Sequence, residues 1–254
     1  MKFNEQHSQA VKRQYKTLEL DYTPLDLTTA IPSKAMFYKS KIAYIRGLRF
    51  KEQLSITNIQ NTSTQNKKIA LDNVCRIYNE CIQIDELELQ NMLYDDFQTL
   101  CSWIVLLTNP KQEYTLQFYC EKCQELNTHT IKVADGTIEY RDFQLFEPTT
   151  LDVEFGKIIL APLTIDDFLE YYDFETEFKQ EMYASAFIKK LNGLELTTEQ
   201  RIDLLSNLSL DDVTKITEIV IKYQTQVTPL KKQCAKCQHD NNVYPMIDII
   251  KGLP

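Results

Sequence analysis

Apolar positions along the chain recur at two spacings, one helical and one alternating. Leu89, Met92, Leu93, Leu100, Cys101, Ile104, Val105 and Leu107 recur at helical spacing and stop before Asn109-Pro110, where a helix has to end. Just upstream, Ile69, Val74, Ile77, Cys81 and Ile82 do the same, which predicts a helical pair. Asp95 and Asp96 interrupt the second apolar face. Adjacent helical positions point about 100° apart, so the two carboxylates do not share an acid–base site; a solvated face or a helix-capping contact from a neighbour accounts for them. A third helix carries Val213, Ile216, Ile219, Val220 and Tyr223 as its stripe. Three pairs, Thr164 with Asp167, Thr197 with Gln200 and Ser209 with Asp212, set a hydroxyl three positions before an acid or amide, the arrangement that satisfies backbone N–H groups at a helix start. The acidic stretch Asp166–Glu181 reads as a solvated helix face.

Shorter runs with strand character are Lys41–Arg46, Tyr114–Tyr119, Thr128–Val133, Leu151–Phe155, Lys157–Ala161 and Asn242–Ile249. Pro32 holds Ile31 extended, so Thr28–Phe37 is expected to run exposed over the surface, free to lie along a neighbouring subunit. Residues 58–68, NIQNTSTQNKK, read as a polar loop, and residues 1–30 are polar apart from a short helix near Ser8–Leu20. The predicted fold class is α+β, mixed helical with small β-sheets. Three regions are expected: 1–65, an N-terminal arm and extended segment; 66–163, the helical pair with a first CxxC knuckle and strands; and 164–254, a helical segment whose C-terminal CxxC knuckle packs back on the first.

Composition narrows the function. The 254 residues include only five glycines, at positions 47, 136, 156, 193 and 252. A phosphate-cradling loop needs two or three glycines close together, so P-loop, dinucleotide and kinase-type sites are excluded. Three histidines, His7, His129 and His239, leave little material for triads or catalytic metal sites. A net charge of −8 repels nucleic-acid phosphates. The longest apolar run, Trp103–Leu107, is far shorter than the about 20 residues of a membrane span, and the N-terminus lacks the apolar core of a secretory signal. No nucleic-acid, membrane or small-molecule partner is therefore expected, and no enzymatic activity.

Cysteine carries the sharpest signal. Four of the seven form two knuckles, Cys120-Glu-Lys-Cys123 and Cys234-Ala-Lys-Cys237. A CxxC turn presents two thiolates on one side, and two facing knuckles complete a tetrahedral, zinc-ribbon-like site with Zn–S distances of about 2.3 Å. The metal ligands expected are Cys120, Cys123, Cys234 and Cys237, and the cofactor a structural Zn2+. Four thiolates leave no open position for a catalytic water. The competing readings are unpaired surface turns, a disulfide or a redox motif. An odd cysteine count and the missing signal disfavour disulfides, and a redox motif would open a helix where a strand follows here. Cys75, Cys81 and Cys101 fall on apolar helical faces as small buried hydrophobes. His239, two positions past Cys237, reads as a loop histidine or a spare ligand.

In order and spacing these parts resemble the baseplate hub assembly proteins of T-even-type contractile-tailed phages. The resemblance rests on Ile31-Pro32-Ser33-Lys34 with Tyr38, the helix through Leu89–Leu107 with Asp95 and Asp96, Tyr114 ahead of Cys120 and Cys123, and finally Cys234 and Cys237. Ala35 stands where that pattern usually has glycine, which weighs against a tight turn there. The resemblance implies a non-enzymatic component of a phage tail baseplate hub, made in the host cytoplasm and binding other tail and baseplate proteins. The alternative is a zinc-ribbon regulatory protein that binds nucleic acid or the transcription machinery, which needs a basic, aromatic-interleaved face.

Overall fold

The computed structural model describes residues 22–62, 67–109, 113–132, 140–141, 147–172, 180–224, 226–227 and 229–243. The helix expected near Ser8–Leu20, His7 and the end of the strand expected at Asn242–Ile249 lie outside these residues. Helices and small antiparallel sheets mix throughout, as the α+β reading requires.

The N-terminal part holds strand β1 (Thr23–Asp26), a single-turn helix α1 (Leu27–Ala30), β2 (Ile42–Ile45), helices α2 (Phe50–Thr62) and α3 (Lys67–Asn79), and β3 (Ile82–Gln83). The strands form one antiparallel sheet with β2 in the centre. Alternation along β2 buries Ala43 and Ile45 and turns Ile42 and Tyr44 outward, the two-residue period of a half-buried strand. Helix α4 (Tyr94–Thr108) runs through the middle of this core, with Phe97, Leu100, Cys101, Ile104, Val105 and Leu106 all buried. It is apolar on nearly every side. Thr99, Ser102 and Thr108 are accommodated because each hydroxyl donates to the carbonyl four residues back.

Three expectations change here. Residues 58–62, expected in a loop, are the last turn of α2, a helix that buries Ile56 but lacks a continuous apolar stripe. The upstream helix stops at Asn79: Ala70, Leu71, Val74, Cys75 and Tyr78 face the core, Ile69 points to solvent, and Ile82 belongs to β3. Thr28–Phe37 is not an exposed strap. Ile31 is extended before Pro32 (φ −127°), but Ile31, Ser33, Ala35 and Tyr38 are buried. Lys34 and Ala35 both adopt left-handed φ, +53° and +56°, in a turn closed by Met36 N–H on the Ser33 carbonyl. The tight turn thus forms on alanine.

Asp96 anchors that turn. Wholly buried, it accepts the Ser33 backbone N–H at 2.9 Å and the Tyr38 hydroxyl at 2.6 Å, while Tyr38 accepts the Leu93 N–H. Its carboxylate is therefore not on a solvated face. Burial pushes its carboxyl up to about 6 despite these donors.

The C-terminal part is a four-stranded sheet ordered β10 (Leu194–Glu195), β9 (Ile188–Leu191), β8 (Gly156–Leu160), β7 (Thr149–Val153), covered by helices α5 (Ile165–Tyr172), α6 (Thr198–Asn207) and α7 (Leu210–Tyr223). Gly156, at φ +126°, lies against the Asn192 side chain, where a Cβ would come within 2.2 Å. All three helix starts carry the expected caps. Thr164 and Asp167 bond reciprocally, Thr197 and Gln200 form a capping box, and Ser209 accepts the Asp212 N–H. The stripe of α7 points inward, and the Tyr223 hydroxyl reaches the Leu160 carbonyl across the sheet. Asp167 corrects the reading of the acidic stretch: its side chain is 15% exposed and paired with Lys189 at 2.6 Å and Arg201 at 3.6 Å. Within that stretch, residues 173–179 lie outside the described ones. The two cores meet where Tyr94 N–H bonds the Leu163 carbonyl, Ile165 N–H bonds Met92, and Tyr94 stacks on Phe168 at 3.8 Å.

Candidate metal centre

Each cysteine pair sits at the tip of an antiparallel hairpin. The first runs from β4 (Glu113–Tyr119) to β5 (Leu126–Lys132), matching the expected strands; a short pair, β6 (Tyr140–Arg141) with β11 (Gln226–Val227), follows; the second hairpin runs from β12 (Leu230–Gln233) to β13 (Asp240–Val243). Strand β12 has no counterpart among the expected strands, because a run of lysines and glutamine has no strand signature. The hairpins pair in equivalent register, Tyr119 with Leu126 and Gln233 with Asp240. Leu116 and Leu230 pack against the N-terminal core and seat both.

The knuckles themselves are near copies. Cys120 N–H bonds the Glu125 carbonyl and Gln124 N–H the Cys120 carbonyl, each at 2.9 Å. Cys234 N–H with His239 and Gln238 N–H with Cys234 repeat both distances. Gln124 and Gln238 turn the chain with left-handed φ of +56° and +58°.

Facing each other, the knuckles bring Cys120, Cys123, Cys234 and Cys237 together, with all four sulfurs within 4.8 Å of one another. Cys120 Sγ lies 3.6 Å from Cys237 Sγ, and Cys123 Sγ 3.6 Å from Cys234 Sγ. Sulfurs on a tetrahedron with metal–sulfur bonds of about 2.3 Å stand about 3.8 Å apart, so the four side chains fit a single ion. Their acidity fits as well. Backbone N–H donation from Cys237 and Lys236 outweighs burial and lowers the Cys234 thiol to about 6, with a further contribution from Asn127. At Cys123 the Glu125 N–H lowers the thiol, but burial and the neighbouring sulfurs leave it at about 12. A divalent cation bound among the sulfurs favours the thiolate form of each.

His239 adds its carbonyl, which accepts from Cys234 N–H and Asn241 Nδ2; the ligand group among the described residues contains no imidazole. His129 lies on β5 opposite Leu116. Cys75, Cys81 and Cys101 are buried in the N-terminal core as expected; burial pushes Cys75 and Cys81 up to about 12 and raises Cys101 well above its ordinary value. Sequence reasoning missed Asn127 and Asn241. Asn127 Oδ1 accepts the Ala235 N–H, Asn241 Oδ1 accepts the Glu121 N–H, each at 2.9 Å, and each Nδ2 donates back to its own hairpin. The signal was there as the repeat C-x-K-C-Q-x-x-N, at 120–127 and again at 234–241.

No curated protein and no solved structure matches the chain. One family pattern does, over residues 31–250, a span that takes in the buried Ser33–Asp96 contact, both cores and both knuckles. The chain belongs to the family described as T4 bacteriophage base plate protein.

Proposed function

We propose that this baseplate protein is a non-enzymatic structural or assembly component of the baseplate hub, and that Cys120, Cys123, Cys234 and Cys237 hold a structural Zn2+. The observation that carries the reading is the closed group of four sulfurs built from knuckles some 110 residues apart in the chain. Four thiolates complete a tetrahedron and leave no position for a reacting water. Bound there, zinc supplies folding energy and no chemistry. Its effect is to tie the β12–β13 hairpin, which follows α7, to the β4–β5 hairpin, which follows α4. Such a tie fixes the surfaces that other tail and baseplate proteins meet.

The test joins metal content to partnership. The purified protein is expected to carry one zinc per chain and to co-purify with other tail proteins from phage-infected cells. Cys234→Ser is expected to lose the metal, and with it folding or that co-purification. A metal-free wild type, or a Cys234→Ser protein with zinc content and partners unchanged, overturns the zinc assignment. Salt-sensitive nucleic-acid binding in place of tail partners favours the regulatory alternative.

A further inference from the structure

The repeat places two asparagines in reciprocal contact across the knuckle pair. Asn127 follows the first knuckle, yet its Oδ1 accepts the N–H of Ala235 inside the second. Asn241 follows the second, and its Oδ1 accepts the N–H of Glu121 inside the first. Both distances are 2.9 Å. Each amide is also braced from its own side. Asn127 Nδ2 donates to the Glu125 carbonyl at 2.8 Å, and Asn241 Nδ2 to the His239 carbonyl at 2.9 Å. Both residues are buried, at 8% and 2% exposed, so every one of these polar atoms needs its partner. The arrangement departs from two-fold symmetry at one point. Asn127 Nδ2 additionally lies 3.6 Å from Cys234 Sγ, whereas Asn241 Nδ2 turns to the Lys232 carbonyl at 3.4 Å.

From this geometry we propose that Asn127 and Asn241 are positioning residues of the metal centre: a reciprocal amide clamp holds each knuckle's backbone against the other and sets the four sulfurs at ligand spacing, and Asn127 also steadies the Cys234 sulfur. The proposal rests on the metal reading above for its ligand, but the clamp itself does not depend on the ion. All its bonds except the one to Cys234 run between amide groups and backbone, and these persist when metal leaves. Lys236 and Glu125 add an exposed ion pair across the same junction, which contributes little.

The test uses the full-length protein loaded with Co2+ or Zn2+, with affinity measured by competition against a chromophoric chelator. Outer hydrogen-bond partners of metal ligands are worth 10–100-fold in affinity. Asn127→Ala is expected to lose about that much, and Asn241→Ala less, because it touches no sulfur. Asn241→Asp keeps the acceptor for Glu121 N–H and is expected to recover part of the loss. Thr197→Ala is the control: Thr197 caps α6 and makes no hydrogen bond to either knuckle among the described residues, so its loss should change affinity less than two-fold. Amide hydrogen exchange supplies a second readout. After chelation the Glu121 and Ala235 amides are expected to stay protected in the wild type and to exchange freely in the Asn127→Ala, Asn241→Ala double variant. Unchanged affinity in that double variant overturns the positioning role while leaving the metal site standing. If the wild type takes up no metal, the zinc reading fails and the exchange data decide the clamp: equal protection in the wild type and the double variant overturns it.

Discussion

Asp96 shows how one side chain can be legible as unusual and still be misread. On the sequence it is a charge breaking an apolar stripe, and a solvated face is the ordinary explanation. Its partners, Ser33 N–H and Tyr38 O–H, lie about sixty positions away, where helical periodicity carries no information. Because burial raises its carboxyl to about 6, above the ordinary value of 3.8, the folded protein holds a proton that the unfolded chain releases between those values. The stability Asp96 contributes is therefore fully present below about pH 4 and is lost as pH rises through about 6. Urea unfolding at pH 4.5 and pH 7 tests this: the advantage of wild type over Asp96→Asn should be larger at the lower pH. Tyr78 makes the opposite case. Its hydroxyl is buried with no hydrogen-bond partner among the described residues, so Tyr78→Phe should raise stability by about 1 kcal/mol. Thiol reactivity separates the cysteines: in the native protein treated with a strong chelator, the half-buried Cys123 and Cys237 should react first with a disulfide reagent, and Cys75, Cys81 and Cys101 only after unfolding.

Among elements, those with a strong local signature were readable and those held by tertiary contacts were not. Helix α7 carries both a cap and a stripe, and both are as the residues indicate. The hairpin β4–β5 follows from alternating strands around a knuckle. Helix α2, by contrast, is polar over most of its length and relies on Ile56 reaching the core, so its last turn reads as loop. Strand β12 gains its conformation from pairing with β13 rather than from its own Leu-Lys-Lys-Gln sequence. The turn at 33–36 hides for a related reason: left-handed alanine costs about 1 kcal/mol or more, and distant contacts, from Asp96 and Tyr38 and from Lys41 Nζ on the Ala35 carbonyl, help hold it there. Capping energy is the cleanest test at this scale. Thr197→Ala removes a complete capping box at the start of α6 and should cost about 1 kcal/mol in chemical denaturation, with no change in metal content.

Across the whole molecule, two cores share the join between α4 and α5, and the paired knuckles add a second tie between segments distant in the chain. The cysteine spacing pointed to the four sulfurs that the fold brings within 4.8 Å of one another. The asparagines that dock the knuckles were visible only as a repeat, because a polar residue after a turn otherwise reads as loop. In a baseplate protein with this layout, zinc is expected to close that tie. X-ray absorption at the zinc edge on the freshly purified protein tests it most directly. One ion per chain surrounded by four sulfurs at about 2.3 Å is expected; nitrogen or oxygen in that shell, or freshly purified protein that carries no metal, overturns the zinc assignment.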